Sequence, residues 1–466
     1  MRTKRLEEML AELADSDLYP FHMPGHKRVG GEPFARDITE IDGFDNLHDP
    51  AGILKTEMDS AAELYGVKST HFLVNGSTCG ILAAISAAVP AGGTLMAGRL
   101  SHLSVYHAAY LRRLKIVYTD AGGKIPASLP EGSVQAVLIT SPSYEGCVRD
   151  IRAWAEAAHR SGAVLIVDEA HGAHFGRHPS FPASAAQQGA DLVIQSLHKT
   201  LPAMTQCAVL HNVTGRISDE QLEKFLRIYE TSSPSYVLMA SAAAAVHKMA
   251  DGGAHYFDAY LRRLRNLRRE LASLRCLRLA GGEEGILSRD DEIPPFGAGT
   301  VTDPGKLLIL TAPYMSGDRL YEILIRHYRL QPEMKTPDAV LLMTSVCDTD
   351  EGFARLLAAL RETDASLGPA GPPCMQRPDR RRESSLPPVR MPLSQAYDAP
   401  AEAVPLSLAE GRISGGFVIV YPPDSPLVIP GELYTAGVLE DIRFFREAGC
   451  TVSGIEEETV PCVIRE

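Results

Sequence analysis

The chain has 466 residues, 45% hydrophobic and 22% charged, the balance of a folded protein with length for two or three domains. Its formal net charge of −12 repels nucleic acid and anionic membranes on average. Its eight cysteines form no CxxC pair or His/Cys cluster at zinc spacing, which argues against a metal site and a secreted disulfide framework and fits a reducing cytoplasm.

The first segment, "MRTKRLEEMLAELADSD", sets Leu6, Met9, Leu10 and Leu13 at helical spacing among charges, not in the continuous apolar core of a signal peptide. From Thr70 to Leu210 short apolar runs alternate with helix-like segments: "THFLV", "TLMAG", "KIVYT", "AVLIT", "AVLIVDEAH" and "DLVIQS" predict buried strands. Asp150 to Arg160 has helical periodicity that stops at Gly162. The uncharged stretch from Phe72 to Gly98 is long enough to cross a membrane, but Asn75-Gly76-Ser77-Thr78 and Pro90-Ala91-Gly92-Gly93 break it into strand, turn and helix, so no membrane span is expected. The pattern predicts an α/β domain with a mostly parallel sheet over residues 1–298. "KLLIL", a helix near Asp318 to His327 and "AVLLMTS" predict a smaller α/β domain over 299–368. A Pro- and Arg-rich linker follows at 369–388, then a C-terminal α+β domain at 389–466.

Open α/β sheets bind ligands beyond the carboxyl ends of their strands. "FLVNGSTCG" leaves a strand through Gly76, Ser77 and Thr78 into a helix, where free N–H groups and hydroxyls suit a phosphate. "LITSPSYEG" ends a strand in Ser141, Ser143 and Tyr144. "VLIVDEAHGAHFG" ends one at Asp168 and His171, and "LVIQSLHK" ends another at Ser196, His198 and Lys199. Singly, each is as well explained by a helix cap or a partly buried histidine. Together they match a cofactor with an anionic phosphate, a basic ring nitrogen and an aldehyde, which is pyridoxal phosphate. Lys199 then carries the cofactor, and Ser196 and His198 hold its phosphate.

Several ordered stretches bear a family resemblance: "FHMPGHK", "FLVNGSTCG", "SHLSV", "SPSYEG", "VDEAHGAH", "QSLHKTLPAMTQ" and, later, "EGRISGGFVIVYPPDSPLVIPGE". The chain resembles the Orn/Lys/Arg decarboxylases, fold type I pyridoxal-phosphate enzymes of the aspartate aminotransferase-like class. It is most similar to their compact bacterial form, since "HMPGHK" begins too early to leave room for a response-regulator-like domain. The resemblance implies Lys199 as the Schiff-base lysine and Asp168 as the partner of the pyridine nitrogen. It also implies Ser77, Thr78, Ser196 and His198 around the phosphate, His102 stacked on the ring and His171 beside it. It implies at least a homodimer and a role in polyamine synthesis. Two places depart from the family pattern: Leu100 and Leu103 stand where asparagine and lysine are usual, and Asp424 follows Tyr421-Pro422-Pro423 where glycine is usual.

The expected substrate is a basic amino acid, arginine before lysine or ornithine, with Glu432 first and Asp424 second as partners of its distal cation, because a desolvated cation needs a carboxylate. Three other readings compete. An aminotransferase of the same fold type would labilise the α-proton instead of the carboxylate. A catalytically silent homologue would lack a bound-cofactor absorbance. A DEAH-type nucleic-acid motor would need a GxxxxGK[ST] loop, which "DAGGKIP" and "TDPGKLL" do not supply.

Overall fold

The computed structural model describes residues 4–119, 125, 132–288, 291, 296, 298–368, 386–421 and 425–464. The chain forms two compact units, one of residues 1–90, 127–142 and 150–259, the other of 91–126, 143–149 and 260–466.

In the first unit, helix α1 (Leu6–Asp15) buries Leu6 and Leu10 of the predicted apolar stripe and leaves Met9 and Leu13 half-buried. Helix α2 (Ile53–Tyr65) stops at Gly66, whose left-handed backbone closes the C-terminus. Strand β1 (Ser69–Leu73) leads into helix α3 (Gly76–Ala88). Strand β2 (Ala136–Thr140), helix α4 (Ile151–Arg160) and strand β3 (Val164–Asp168) form a crossover, and the Asp150 side chain caps α4 by accepting from Ala153 N at 3.1 Å. Strand β4 (Leu192–Ser196) runs directly into the short helix α5 (Leu197–Thr200), and strand β5 (Ala208–Asn212) returns beside it.

These five strands pair in the order β1-β5-β4-β3-β2. β2, β3 and β4 are parallel, with Thr140 opposite Asp168 and Asp168 opposite Ile194, while β5 is antiparallel to both β4 and β1. Every residue of β3, β4 and β5 is buried, which is why they read as unbroken apolar runs and not as alternating ones. The parallel register brings the carboxyl ends of β2, β3 and β4 together, where Ser141 N donates to Asp168 O at 3.0 Å.

In the second unit, Thr94–Ala97 and Lys115–Tyr118 pair in parallel around a helix at Leu103–Arg112. Met334–Thr336, Ala339–Met343, Lys306–Leu310 and Arg278–Leu279 form an antiparallel sheet in that order. The strands and the intervening helix Gly317–Tyr328 fall where "KLLIL", Asp318 to His327 and "AVLLMTS" predict them. Toward the C-terminus, Ala401–Pro405 pairs with Thr459–Val463, and Val418–Tyr421 lies between Ser425–Val428 and Thr451–Ser453. Val404, Val418, Val428, Tyr434, Leu439 and Ile442 share a core there with helix Ala436–Glu447. No helix among the described residues is long and apolar enough to cross a membrane.

Candidate cofactor site at the strand ends

Helix α3 begins at Gly76, whose φ of +75° favours glycine over any residue with a Cβ. Asn75 precedes the helix but does not cap it with its side chain, which donates instead to Tyr229 O at 3.2 Å. The first-turn N–H groups are therefore not taken by the preceding side chain, the condition for binding an anion there. Ser196, fully buried at the end of β4, points its hydroxyl at Ser77 Oγ, 2.9 Å away. Two neighbouring hydroxyls and a helix N-terminus form a donor set that matches a phosphate, and Thr78 lies in the same first turn.

Asp168 ends β3 at 3% exposure, with Oδ1 accepting from Ala170 N at 3.1 Å. A buried carboxylate at a strand end is costly unless something cationic meets it, and a protonated pyridine nitrogen is such a group. One strand over, Lys199 in α5 places Nζ 3.1 Å from His171 Nε2. An ammonium donates, so this imidazole nitrogen accepts. The turn after Asp168 thus touches the lysine after β4: adjacent parallel strands bring Asp168 and His171 beside Ser196 and Lys199, and Ser77, after β1, joins them through its contact with Ser196. These residues fit pyridoxal phosphate in donor chemistry: hydroxyls and N–H groups for the phosphate, an amine for the aldehyde and a carboxylate for the ring nitrogen.

His198, expected at the phosphate, also makes a backbone contact. Its Nδ1 lies 2.9 Å from Cys207 O, which can only accept, so Nδ1 carries a proton. Burial, with the adjacent Lys199 charge also acting, lowers the pKa of this imidazole. A neutral ring then offers Nε2 as an acceptor, and donation to a phosphate requires the doubly protonated ring. Cofactor affinity is therefore expected to weaken as pH rises through the His198 titration in the complex, and to lose that dependence in His198→Asn; fluorescence titration with pyridoxal phosphate across pH measures both.

In the second unit, His102 is the N-cap of helix Leu103–Arg112, its Nδ1 accepting from Ser104 N at 3.2 Å. Leu100 is 53% exposed, so the position where asparagine is usual presents an apolar side chain to solvent.

Glu432 is 0% exposed and is paired with Arg99, whose Nη2 donates to Oε2 at 2.8 Å. Ile429 N donates to the same oxygen at 3.0 Å, and the Arg99 guanidinium also donates to Tyr118 Oη at 2.8 Å and to Leu427 O at 2.9 Å. Burial raises the Glu432 carboxyl pKa, while the Arg99 charge opposes the shift. The carboxylate expected to meet the substrate's cation is therefore already matched by a guanidinium of its own chain. The Arg99 and Ile429 contacts both fall on Oε2, while Oε1 meets, among the described residues, only the Tyr118 hydroxyl at 3.5 Å, so in this structure Glu432 is an ion-pair partner first, which the expected substrate contact did not include. Asp424 lies outside the described residues.

Sequence reasoning passed over two groups. Arg99 lies directly before Leu100 with no motif of its own, and Glu169 stands inside "VDEAH" without a role that the motif assigns. A signal was present for the second: Gln195 interrupts the apolar run Leu192-Val193-Ile194, and a polar side chain in a fully buried strand requires a buried partner.

Residues 5–125 and 121–303 match the Orn/Lys/Arg decarboxylase major domain, and 382–463 match the C-terminal domain of the same family. The chain is 32% identical to the uncharacterized protein YaaO of Bacillus subtilis over 461 residues, covering 92% of each. It is 29% identical to an arginine decarboxylase of the same organism over 466 residues, covering 94% of this chain and 93% of the relative. The Escherichia coli constitutive lysine decarboxylase structure superposes with a TM-score of 0.81 at 18% identity, over 98% of this chain and 82% of that one, a likeness of fold.

Proposed function

Because the chain belongs to the Orn/Lys/Arg decarboxylase family and is a pyridoxal-phosphate-dependent decarboxylase, we propose that it converts arginine to its amine and so feeds polyamine synthesis. The 29% identity to an arginine decarboxylase across 94% of the chain carries this choice of substrate. A cytoplasmic enzyme of at least two subunits completes the proposal.

Lys199 holds the cofactor, Asp168 keeps the ring nitrogen protonated, and Ser77, Thr78 and Ser196 bind the phosphate. When bound, the cofactor supplies an electron sink for the pair left as carbon dioxide departs. His171 Nε2, 3.1 Å from Lys199 Nζ, is placed to take a proton from the ammonium, which leaves the amine nucleophilic, and to return one afterwards.

Carbon dioxide release measured in parallel with arginine, lysine and ornithine tests the substrate. Arginine is expected to give the highest kcat/KM; a higher value for lysine or ornithine reassigns the substrate, and amino transfer without carbon dioxide reassigns the reaction. Asp168→Asn is expected to keep the cofactor and lose about 10²–10³-fold in kcat, the effect of removing one preorganised electrostatic partner. A near-normal kcat in that variant gives Asp168 another part.

A further inference from the structure

Behind the strand ends lies a row of polar side chains inside an apolar sheet. Glu169 follows Asp168 and is 1% exposed; Oε1 accepts from Ala185 N at 2.8 Å and Oε2 from Gln195 Nε2 at 2.7 Å. Gln195 Oε1 lies 3.2 Å from His211 Nε2, and His211 Nδ1 lies 2.8 Å from Thr70 Oγ1. The row crosses from the end of β3 through β4 and β5 to β1, and Gln195 and His211 are as buried as Glu169. The turn after Glu169 closes on its side chain: Gly172 N donates to Glu169 O at 2.8 Å, and a Cβ on Gly172 would come within 2.6 Å of Glu169 Cγ. That turn carries His171, and it begins at Asp168.

We propose that Glu169 is a positioning residue, acting through the relay Glu169–Gln195–His211–Thr70 to hold the turn that presents Asp168 and His171. The inference rests on the decarboxylase reading for the roles of those two residues. Two proton arrangements satisfy the row. In one, an ionised Glu169 accepts from the Gln195 amide, whose oxygen accepts from His211 Nε2–H, and His211 Nδ1 accepts from the Thr70 hydroxyl. In the other, the Gln195 amide is turned over, a protonated Glu169 donates to its oxygen, and His211 is the opposite tautomer and donates to Thr70. The relay thus accommodates a proton on Glu169 while keeping each hydrogen bond of the row.

Burial raises the Glu169 carboxyl pKa to about 8, although Gln195, Ala185 N and the Arg177 charge oppose it, and burial holds His211 neutral with a pKa of about 3. The ionisable groups facing Glu169 are Asp168 on its own strand, Arg177 beyond the turn, Tyr65 on α2 and, through Gln195, His211 on β5. At neutral pH the protonated form places no second negative charge beside Asp168. The native state then binds more protons than the unfolded one between the ordinary carboxyl pKa of 4.5 and about 8. Stability falls as pH rises through that window and levels off above it.

The experiment compares wild type, Glu169→Gln and Glu169→Ala. Melting temperatures of the cofactor-free full chain, measured across pH 5 to 9 (roughly the titration window), are expected to fall with pH in wild type, with that slope removed by Glu169→Gln. Glu169→Ala is expected to lower kcat about 10- to 100-fold with little change in KM, the effect of misplaced reacting groups, and Glu169→Gln to restore most of it. In Glu169→Ala the visible band of the bound cofactor should also shift its pH midpoint. Equal slopes in wild type and Glu169→Gln overturn the proposal, as does a Glu169→Ala variant with normal kcat and an unmoved band. If no basic amino acid is turned over, the decarboxylase reading fails, while the melting and absorbance measurements still decide the relay.

Discussion

Lys199→Ala is expected to abolish turnover, with a loss on the order of 10⁴–10⁶-fold, the scale seen when a covalent catalyst is removed. Lys199 stands in α5, one strand away from Asp168, with its amine against His171. It is the lysine at the strand ends where hydroxyls, a helix N-terminus and a buried carboxylate converge, so its removal takes away the covalent anchor while the phosphate donors remain. The variant should still bind pyridoxal phosphate, more weakly, without forming a borohydride-reducible adduct. Mass spectrometry of borohydride-treated wild type should place the cofactor's mass on the peptide containing Lys199. An adduct on another lysine, or measurable turnover in the variant, overturns the assignment.

The second large effect is on stability. Arg99→Met is expected to cost about 3–5 kcal/mol, because removing one partner of a buried ion pair strands the other's charge. Glu432 is 0% exposed, and without the guanidinium its carboxylate keeps only one backbone N–H and the weaker Tyr118 contact at 3.5 Å. The sign with pH follows from the direction of the shift. Burial already raises the Glu432 pKa, and loss of Arg99 raises it further, so the penalty applies above the ordinary carboxyl range and shrinks as acid protonates the group. Urea midpoints at neutral and mildly acidic pH should therefore converge toward wild type on the acid side. Adding Glu432→Gln to Arg99→Met should recover part of the loss, since no charge is then buried. A single variant as stable as wild type, or a double variant no better than the single, would show that the pair contributes little.

The strands around the site were legible because strands buried on both faces must be apolar along their whole length, and β2, β3 and β4 appear in the sequence as such runs. Strand β5 was not singled out, although Ala208-Val209-Leu210 has the same character; it is antiparallel to its neighbours and carries His211 and Asn212 inward, which blurs the apolar signal. The candidate site residues were legible because they follow those runs directly. Position at a strand's carboxyl end is a local property of the chain, and so is the succession Ser196-Leu197-His198-Lys199.

Sequence by itself determined the fold class, the family and the residues at the strand ends, all of which rest on short-range patterns and ordered motifs. Which side chains meet was decided by the tertiary structure. Arg99 and Glu432 are 333 positions apart, and nothing local to either marks the other as its partner. Glu432 is a carboxylate that sequence offers to a substrate and the folded chain gives to a guanidinium. Glu169 and Thr70 are likewise joined only through Gln195 and His211, across strands whose order in the sheet differs from their order in the chain. The physical reason is common to both: burial removes water as a partner, so each polar group takes whatever donor or acceptor the packing supplies, however distant in sequence.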